Sequence, residues 1–504
     1  MNKKLNILME LRTCFEGFAG IPQETRLLFS AFLDRPELQV HGLINHTGNR
    51  LGKALVPGKV YDAVDTHKRY DKLSKFVAST LPSDSNSWLA KKREETDREL
   101  TPSLLAAGAK LGLALKLYDF DAHDYSDFIW ETLFSASLQT DDLEKIAKAP
   151  YRTLSTPWRA MHRAGLIGQP GIATYPMLNT EGHDIVFVQT PYPARISKSS
   201  QMVVRYHDAI PMFQTNTIPT ARFHRKSHYR ALLDNSCHAF FACTSAAVRE
   251  DLLRMFPMLE KRSRVVHDVV SHNYFPEPVR PGAAAEIILS RLNPATEPKL
   301  GSAGVSANFY ERHLLAKPPR FLLMVSSIEP RKNHDRLVRA WEILRARGDT
   351  DLKLVLVGSL GWRIGPILDS FKSWQARGEL FHLSSVPSRD LRQLYVSAEC
   401  VICPSIAEGF DLSGIEAMAC GGVVAASDIP VHREVYGEAA HYFDKFAPEH
   451  IADTIAALIA PQAKPQAQAL RTRGIQQAAQ YQREVIAPQW SELFSRVGAS
   501  EFKS

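Results

Sequence analysis

The chain has 504 residues, of which 45% are apolar and 23% charged, and this balance excludes wholesale disorder and collagen-like or low-complexity classes. Lysine and arginine number 61 against 54 acidic residues, a surplus of seven that permits attraction to phosphates or an anionic membrane surface. Six scattered cysteines form no disulfide framework, and no stretch reaches the roughly 18–20 apolar residues of a membrane span. We therefore expect two or three domains and a cytoplasmic location, with peripheral contact to the inner face of the membrane left open.

The first half of the sequence alternates short apolar runs with helical stretches. Residues 5–11 predict the first strand, which a turn-rich loop and a helix follow; further strands are predicted at 184–189, 202–206 and 239–243. Residues 60–180 depart from this alternation, and we interpret them as a helical insertion. It contains an apolar helix candidate at 104–117, for which packing inside the domain is favoured over contact with a membrane.

The second half repeats the alternation more regularly, with apolar runs at 321–328, 352–358, 380–385, 400–405 and 422–427. Short β-branched runs alternating with helices indicate parallel sheets covered on both faces, so we predict an α/β protein with two doubly wound domains. Seven prolines between 276 and 319 indicate the break between them. The predicted division is 1–310, 311–485, and a terminal helix over 486–504.

Open parallel sheets bind ligands beyond the carboxyl ends of their strands, so the loops after the strands are the candidate sites. The first candidate is Ser-Ser-Ile-Glu-Pro-Arg-Lys-Asn at 326–333, where Arg331 and Lys332 stand beside a helix start and Asn333 is a candidate N-cap. Two cations next to unpaired helix N–H groups suit a diphosphate. A solvated turn with ordinary surface cations is the structural alternative.

The second candidate is Glu408-Gly-Phe-Asp-Leu-Ser-Gly-Ile-Glu416, after the run at 400–405. Gly409 permits close approach of the backbone to a ligand, and the amides from Phe410 to Ser413 can donate to it. Ser413 and Glu416 have the S-x-x-E spacing of a capping box, which predicts a structural role for Glu416. Glu408 has no such structural role and is suited to accept hydrogen bonds from sugar hydroxyls.

Together these motifs, with Ala-Met-Ala-Cys-Gly at 417–421, resemble the retaining nucleotide-sugar glycosyltransferases of family 4 over most of 320–460. The resemblance implies the GT-B fold, in which two Rossmann-like domains face each other across the active-site cleft. It implies that Glu408 contacts the donor sugar, Glu416 the nucleotide ribose, and Arg331 and Lys332 the diphosphate. The form with Asp411 resembles a mannosyltransferase-like branch, although Ser413 and Gly414 replace the usual prolines.

The first half carries weaker parts of the same resemblance. In VVRYHDAIPM at 203–212, the resemblance implies that His207 reaches the donor sugar and that Asp208 lies in the site. Gly17 and Gly20 resemble the glycine-rich loop near the donor phosphates and the acceptor, with plain turn formation as the alternative. The predicted catalytic residues are therefore Glu408, His207, Arg331 and Lys332. The predicted substrate-binding residues are Gly17, Gly20, Asp208, Gly358, Val386, Gly409, Phe410, Asp411, Leu412, Ser413 and Glu416.

The predicted function is a retaining, metal-independent transfer of a hexose to a glycan or a lipid-linked saccharide in polysaccharide biosynthesis. GDP-mannose is the first choice of donor, because of Asp411, and a UDP-hexose is the alternative. The rival classes are a nucleotide-sugar epimerase or phosphorylase, and a non-catalytic carbohydrate-binding GT-B protein. Asp119-Phe-Asp121 and Cys400-Val-Ile-Cys403 have metal-site spacings but stand in contexts that argue against metal binding. No nucleic-acid partner is expected.

Overall fold

The computed structural model describes residues 4–18, 20–59, 61, 65–81, 88–167, 174–217 and 221–499. The parts of the predicted insertion at 60, 62–64, 82–87 and 168–173, and the end of the predicted terminal helix at 500–504, lie outside the described residues.

The first domain contains eleven described strands and nine described α-helices. Its strands are β1 (Leu5–Glu10), β2 (Leu38–Ile44), β3 (Ala114–Leu115), β4 (Tyr118–Phe120), β5 (Tyr151–Thr153), β6 (Met177–Leu178), β7 (Ile185–Val188), β8 (Arg195–Ile196), β9 (Gln201–Tyr206), β10 (Phe240–Cys243) and β11 (Ser263–Val265). Its helices are α1 (Ile21–Leu33), α2 (Thr66–Thr80), α3 (Trp88–Lys110), α4 (Ser126–Ile129), α5 (Leu143–Lys148), α6 (Trp158–Leu166), α7 (Ile210–Phe213), α8 (Ala221–Asn235) and α9 (Ala246–Met255).

Eight of these strands form one sheet in the order β11-β10-β9-β7-β1-β2-β5-β4, in which only the β4–β5 pair is antiparallel. Strands β3, β6 and β8 form a small separate sheet. Successive residues of β1 enter opposite layers, with Ile7 and Met9 in one buried cluster and Leu8 in the other. This double burial explains why the central strands appear in the sequence as continuous apolar runs.

The second domain follows the linking segment after β11. Its elements are α10 (Ala283–Ser290), α11 (Ala303–Tyr310), β12 (Arg320–Val325), α12 (His334–Ala346), β13 (Leu352–Val357), α13 (Gly365–Gln375), β14 (Leu380–Leu383), α14 (Ser388–Ser397), β15 (Cys400–Cys403), α15 (Leu412–Ala419), β16 (Val424–Ser427), α16 (Pro430–Tyr436), β17 (Ala440–Phe443), α17 (Pro448–Ile459) and α18 (Lys464–Ala479). The last described helix is α19 (Arg483–Gly498). All six strands are parallel in the order β14-β13-β12-β15-β16-β17, which is the doubly wound order 3-2-1-4-5-6.

The prediction of two doubly wound α/β domains is therefore confirmed, and each predicted strand overlaps a described one. Around the predicted domain boundary, helix α10 packs into the core of the second domain, where Ile287 and Ile288 lie with Phe321 of β12. At the other end of the chain, α19 returns to the first domain, and its Trp490 and Phe494 pack against Phe32 and Phe187.

The predicted helix over 104–117 is wrong beyond Lys110. Helix α3 ends there because Gly112 has a φ of +70°, and the amide of Leu113 donates to the carbonyl of Gly108 at 2.9 Å, the termination that a left-handed glycine favours. Leu105 and Ala106 pack inside the domain, as predicted, whereas Leu104, Leu111 and Leu113 are exposed. Among the described residues, no helix combines the length and the apolar character that crossing a bilayer requires.

Candidate functional site

The turn after β12 carries the two predicted cations into a buried ion cluster. Arg331 lies 2.6 Å from Oε2 of Glu408 and Lys332 donates to Oε1 of the same carboxylate at 2.6 Å. Arg331 also donates to Glu329 at 2.6 Å and to the carbonyl of Ala407 at 2.8 Å. The structure thus brings Arg331 and Lys332 together with Glu408, which follows Lys332 by 76 residues in the sequence.

The electrostatics of this cluster keep all three groups ionised. Burial raises the pKa of Glu408, but Arg331 and Lys332 outweigh it and hold that pKa below its ordinary value. Burial lowers the pKa of Lys332, but Glu408 outweighs it and raises that pKa above its ordinary value. A buried carboxylate between two cations is stable only while both partners remain, so Glu408, Arg331 and Lys332 hold one another in place.

Asn333 occupies the N-cap position of α12, as predicted, but its side chain makes no capping bond. It adopts a left-handed conformation with a φ of +66°, and its Nδ2 donates to the carbonyls of Pro404 at 2.9 Å and Lys445 at 2.8 Å. These two carbonyls belong to the segments that follow β15 and β17. Asn333 therefore joins three loops at the carboxyl edge of the second sheet and fixes where Arg331 and Lys332 stand.

Gly409 forms the contact between the acidic loop and the first domain. Its carbonyl accepts hydrogen bonds from the hydroxyls of Thr244, at 3.1 Å, and Ser245, at 2.9 Å. A Cβ at Gly409 would lie 1.9 Å from the carbonyl oxygen of His207, so only glycine permits this approach. Ser245 also caps α9, as expected for a serine at this position, by accepting from the amide of Val248.

Asp411 and its neighbours hold the acidic loop in shape. Asp411 has a φ of +68°, and its carboxylate accepts from Ser413 at 2.7 Å and lies 3.0 Å from Nε2 of His432. Burial raises the pKa of Asp411, but Lys332 and His432 outweigh it and hold that pKa far below its ordinary value. Leu412 is buried at the start of α15, and Phe410 packs edge-on against Tyr481. The Asp411 carboxylate thus contacts other side chains of the protein and holds the acidic loop in place.

The predicted capping box between Ser413 and Glu416 is wrong. Asp411, in its left-handed conformation, takes the N-cap position, and Ser413 bonds to it instead. The carboxylate of Glu416 accepts from Nε2 of Gln23 at 2.8 Å and from the hydroxyl of Tyr395 at 3.4 Å. Burial raises the pKa of Glu416 to about 7. Glu416 therefore lies against the first domain rather than beside Arg331 and Lys332.

His207 stands at the end of β9, in a charged cluster that the sequence analysis did not predict. Its Nδ1 lies 3.3 Å from Oε2 of Glu24, and the buried guanidinium of Arg205 pairs with both Glu24 and Asp268. Burial lowers the pKa of His207 to about 4, so the imidazole is neutral near pH 7. Ligand atoms of Glu24, His207 and Asp268 lie close enough to hold a metal ion, but the guanidinium of Arg205 already supplies positive charge there.

Asp208 lies opposite the ion cluster of the second domain. Its Oδ1 accepts from the amide of Ile210 at 2.9 Å, which fixes the turn after β9. Burial raises the pKa of Asp208, while the nearby charge of Arg331 lowers it and that of Glu408 raises it. The predicted residues His207 and Asp208 are thus brought to the same interface as Glu408.

The remaining predicted residues lie in loops at the carboxyl edges of the two sheets. Gly17 and Gly20 have φ values of +74° and +68°, and the carbonyl of Gly17 accepts from Arg26 at 2.8 Å. A Cβ at Gly358 would lie 2.0 Å from the carbonyl oxygen of Ser326, so two loops meet closely there. Val386 is half-buried against the core of the second domain.

The two rejected metal motifs have structural roles. Asp119 and Asp121 pair with Arg152 and Arg69, respectively. Cys400 and Cys403 lie in β15 and enter the buried clusters on opposite faces of the sheet.

Comparison with known proteins agrees with this architecture. Residues 306–477 match the family described as Glycosyl transferases group 1. The serotype-specific mannosyltransferase WbdA of Escherichia coli is 35% identical over 142 residues, which are 28% of this chain and 17% of that protein. The O-antigen chain mannosyltransferase B of Escherichia coli is 34% identical over 119 residues, which are 24% of this chain and 31% of that protein. The matches therefore span less than a third of either relative.

The sucrose-phosphate synthase of Thermosynechococcus elongatus has the same fold over nearly the whole length. The structural match covers 99% of this chain and 100% of that protein's chain, with a TM-score of 0.57 and 15% sequence identity. With two doubly wound domains that meet at their loops, the fold is GT-B. Within it, the second domain over residues 306–477 is a glycosyl transferases group 1 domain.

Proposed function

We propose that this protein is a retaining glycosyltransferase that moves mannose from GDP-mannose to a glycan or a lipid-linked saccharide in polysaccharide biosynthesis. The observation that carries the proposal is the buried contact of Glu408 with Arg331 and Lys332, at an interface to which the first domain brings His207 and Asp208. Cations and a carboxylate at one interface match the two ends of a nucleotide sugar, its diphosphate and its hydroxyl-bearing ring.

The chemistry follows from the charges. When the anomeric C–O bond of a nucleotide sugar breaks, negative charge builds on the leaving diphosphate. Arg331 and Lys332 are positioned to stabilise that charge once the diphosphate has displaced Glu408 from them. Binding of the diphosphate then competes with Glu408 for the two cations. Release of Glu408 from this pairing frees its carboxylate to accept hydrogen bonds from the sugar.

A neutral His207 suits the same proposal. A neutral imidazole with its Nδ1 toward Glu24 can present Nε2 to a sugar hydroxyl, and no described residue partners that atom. His207 and Asp208 come from the opposite domain, so the site is complete only when the two domains meet, as they do through Gly409. Among the residues that the structure describes, we identify no nucleophile for a covalent intermediate. The proposed route is therefore front-face transfer, in which the leaving phosphate helps to deprotonate the acceptor.

Mannose is favoured because both E. coli relatives are described as mannosyltransferases and because the acidic loop has Asp411. A UDP-hexose is the alternative donor. The modest positive charge of the chain agrees with work beside an anionic membrane, where lipid-linked acceptors are found, and peripheral membrane contact is part of the proposal.

The test is a panel of GDP- and UDP-sugars incubated with the purified full chain and mannoside acceptors, with release of the nucleotide diphosphate and product linkage followed by NMR. We expect turnover with GDP-mannose, an α-linked product, and a loss of at least a hundredfold in Glu408→Gln. The exposed Glu438→Gln is the matched control and should keep full activity.

Each rival predicts a different result. Turnover of UDP-sugars alone would contradict the proposed donor, and isomerisation without an acceptor would indicate an epimerase. Binding of a nucleotide sugar without any turnover, unchanged in Glu408→Gln, would indicate a non-catalytic protein.

A further inference from the structure

The carboxyl edge of the first sheet holds a second polar cluster, separate from Glu408 and its cations. Strand β1 is where the strand order of this sheet reverses, because β2 lies on one side of it and β7 on the other. Ligand crevices in open parallel sheets form at such a reversal. The loops after β1, β2 and β7 meet there and carry Glu16, Thr47 and Thr190.

Arg12 joins these three loops. Its guanidinium donates to Oε1 of Glu16 at 3.2 Å, to the hydroxyl of Thr47 at 3.3 Å and to the hydroxyl of Thr190 at 3.4 Å. Its Nε donates to the buried carboxylate of Glu10 at 2.8 Å. Two carboxylates thus surround one guanidinium, so Glu10, Arg12 and Glu16 together carry one formal negative charge, and an anionic group in contact with Glu16 is disfavoured.

The cluster is open to solvent and has unused hydrogen-bonding capacity. The side chain of Glu16 is 45% exposed, and its hydrogen bonds within the described part of the chain all use Oε1, so Oε2 can accept from a ligand. Thr47 and Thr190 are half-buried; the Thr47 hydroxyl already donates to Oε1 of Glu16 and can still accept from a ligand, whereas the Thr190 hydroxyl can both donate and accept. A sugar ring needs such a set, because each of its hydroxyls also does both.

Two buried amides adjoin the cluster and have no partner within the described residues. Asn45 and Gln189 are fully buried and immediately precede His46 and Thr190, yet neither side chain makes a hydrogen bond. Leaving such a group unpaired costs about 1–3 kcal/mol, so a native protein retains it where a ligand or an ordered water satisfies it.

An aromatic side chain stands at the edge of the same loop. Phe18 lies two residues after Glu16 in the sequence, and its side chain is 68% exposed, so the ring is accessible to a ligand. Aromatic rings bury apolar area and still tolerate polar neighbours, so an exposed phenyl beside a carboxylate suits the C–H face of a sugar.

We propose that Glu16, Thr47 and Thr190 bind the hydroxyls of an uncharged saccharide acceptor, with Phe18 against its ring. This inference rests on the proposed function and adds the class of acceptor. The sugar residue of the acceptor that binds here is neutral rather than phosphorylated. Gln189 links this cluster to the proposed site of the sugar donor. Its backbone amide donates to Glu10 at 2.9 Å, and its backbone carbonyl contacts His207. A phosphorylated acceptor would instead need Arg159, an exposed cation near His46.

The kinetic test uses the full chain, the sugar donor that turns over, and two acceptors, methyl α-mannoside and mannose 6-phosphate. We expect the neutral acceptor to have at least a tenfold higher kcat/KM. Glu16→Gln and Thr47→Val should each raise the KM of the neutral acceptor about tenfold with little change in the KM of the sugar donor. Glu144→Gln, an exposed glutamate of the same domain paired with Lys148, is the matched control.

A preference for the phosphorylated acceptor that is lost in Arg159→Gln would overturn the inference, as would an unchanged acceptor KM in both Glu16→Gln and Thr47→Val. Saturation-transfer NMR with methyl α-mannoside, without any nucleotide, is the independent measurement. Wild-type protein should show saccharide contact that Glu16→Gln and Phe18→Ala lose, and absence of contact in the wild type would also overturn the inference. Because this measurement needs no sugar donor, failure of the proposed function alone leaves it intact.

Discussion

Gln23, in the first turn of α1, donates to the carboxylate of Glu416, in α15 of the other domain, at 2.8 Å. The two residues are separated by 393 positions in the sequence and are both buried where the domains meet. The next residue, Glu24, pairs with Arg205 and lies beside His207. One turn of α1 thus contacts both the second domain and the histidine of the first.

The raised pKa of Glu416 predicts a pH-dependent stability. Below pH 4.5 this carboxyl group is protonated in the folded and unfolded states alike, whereas between pH 4.5 and about 7 only the folded state retains the proton. Unfolding therefore becomes easier as the pH rises through this window, by up to about 3 kcal/mol. Because buried histidines such as His207 contribute the opposite slope below about pH 6.5, the contribution of Glu416 is the difference between the urea-denaturation profiles of the wild type and Glu416→Gln from pH 4.5 to 8.

Glu416→Gln should remove that part of the decline, because the amide does not titrate. The exposed Glu438→Gln should retain it in full. Parallel pH profiles for wild type and Glu416→Gln would contradict the assignment.

The close approach of Gly409 to His207 predicts a strong effect of a single methyl group. In Gly409→Ala the added Cβ would overlap the carbonyl oxygen of His207, so the acidic loop has to withdraw from the first domain. We expect a loss of at least a hundredfold in turnover, with the circular dichroism spectrum unchanged. Gly304→Ala is the control, since a Cβ there meets nothing within 4 Å and alanine favours the helix. Equal activities of the two variants would show that the domain contact is dispensable.

The buried pairing of Lys332 with Glu408 predicts a stability loss that a surface pair does not share. Lys332→Ala leaves the buried carboxylate with one cation, and the free energy of unfolding should fall by about 2–4 kcal/mol. Lys372→Ala removes an exposed ion pair with Asp369 and should cost less than about 0.5 kcal/mol. Urea denaturation measures both.

A further change separates charge from packing at this site. Adding Glu408→Gln to Lys332→Ala removes the carboxylate that has lost one of its partners, so part of the stability should return. A double variant less stable than Lys332→Ala would instead indicate that Glu408 contributes through Arg331 alone.

Glu434 predicts a measurable link between the domains. Its carboxylate, in α16, accepts from the amides of Ala246 at 2.7 Å and Ala247 at 3.2 Å at the start of α9, and lies 3.0 Å from Nε2 of His267. Glu434→Ala removes a negative charge from a helix N-terminus, so these two amides should exchange hydrogen about tenfold faster. Glu438→Ala, on the same segment, should leave their exchange unchanged. If the exchange rates of these two amides are unaltered in Glu434→Ala, solvent rather than Glu434 accepts their hydrogen bonds at the start of α9.

The sequence predicted the elements well where local pattern decides them. Strands with both faces buried appear as continuous apolar runs, which is why β12, β13 and β15 could be located. Strands interrupted by polar residues have no such signal, so β2, β4, β5 and β17 were not predicted. Residues 60–180 were interpreted as a helical insertion, but β4 and β5 extend the main sheet, because pairing with β2 depends on residues more than a hundred positions away.

The candidate site divides in the same way. Arg331, Lys332 and Glu408 were found because each follows a strand that ends at the same edge, so topology brings them together. The capping box between Ser413 and Glu416 was wrong, since spacing alone cannot show that Asp411 adopts a left-handed conformation or that Gln23 bonds to Glu416. Glu24, Arg205 and Asp268 had no sequence signal beyond being charged.

By itself, the sequence determined the alternation of strands and helices, the loops that bear charge and the resemblance to glycosyltransferases. These properties are set by neighbouring residues through apolar periodicity and turn chemistry. Only the tertiary structure decided which charges are buried together, which carboxyl group retains its proton and which glycine another domain approaches. Such properties depend on desolvation and on contacts between distant segments, and both exist only once the chain has folded.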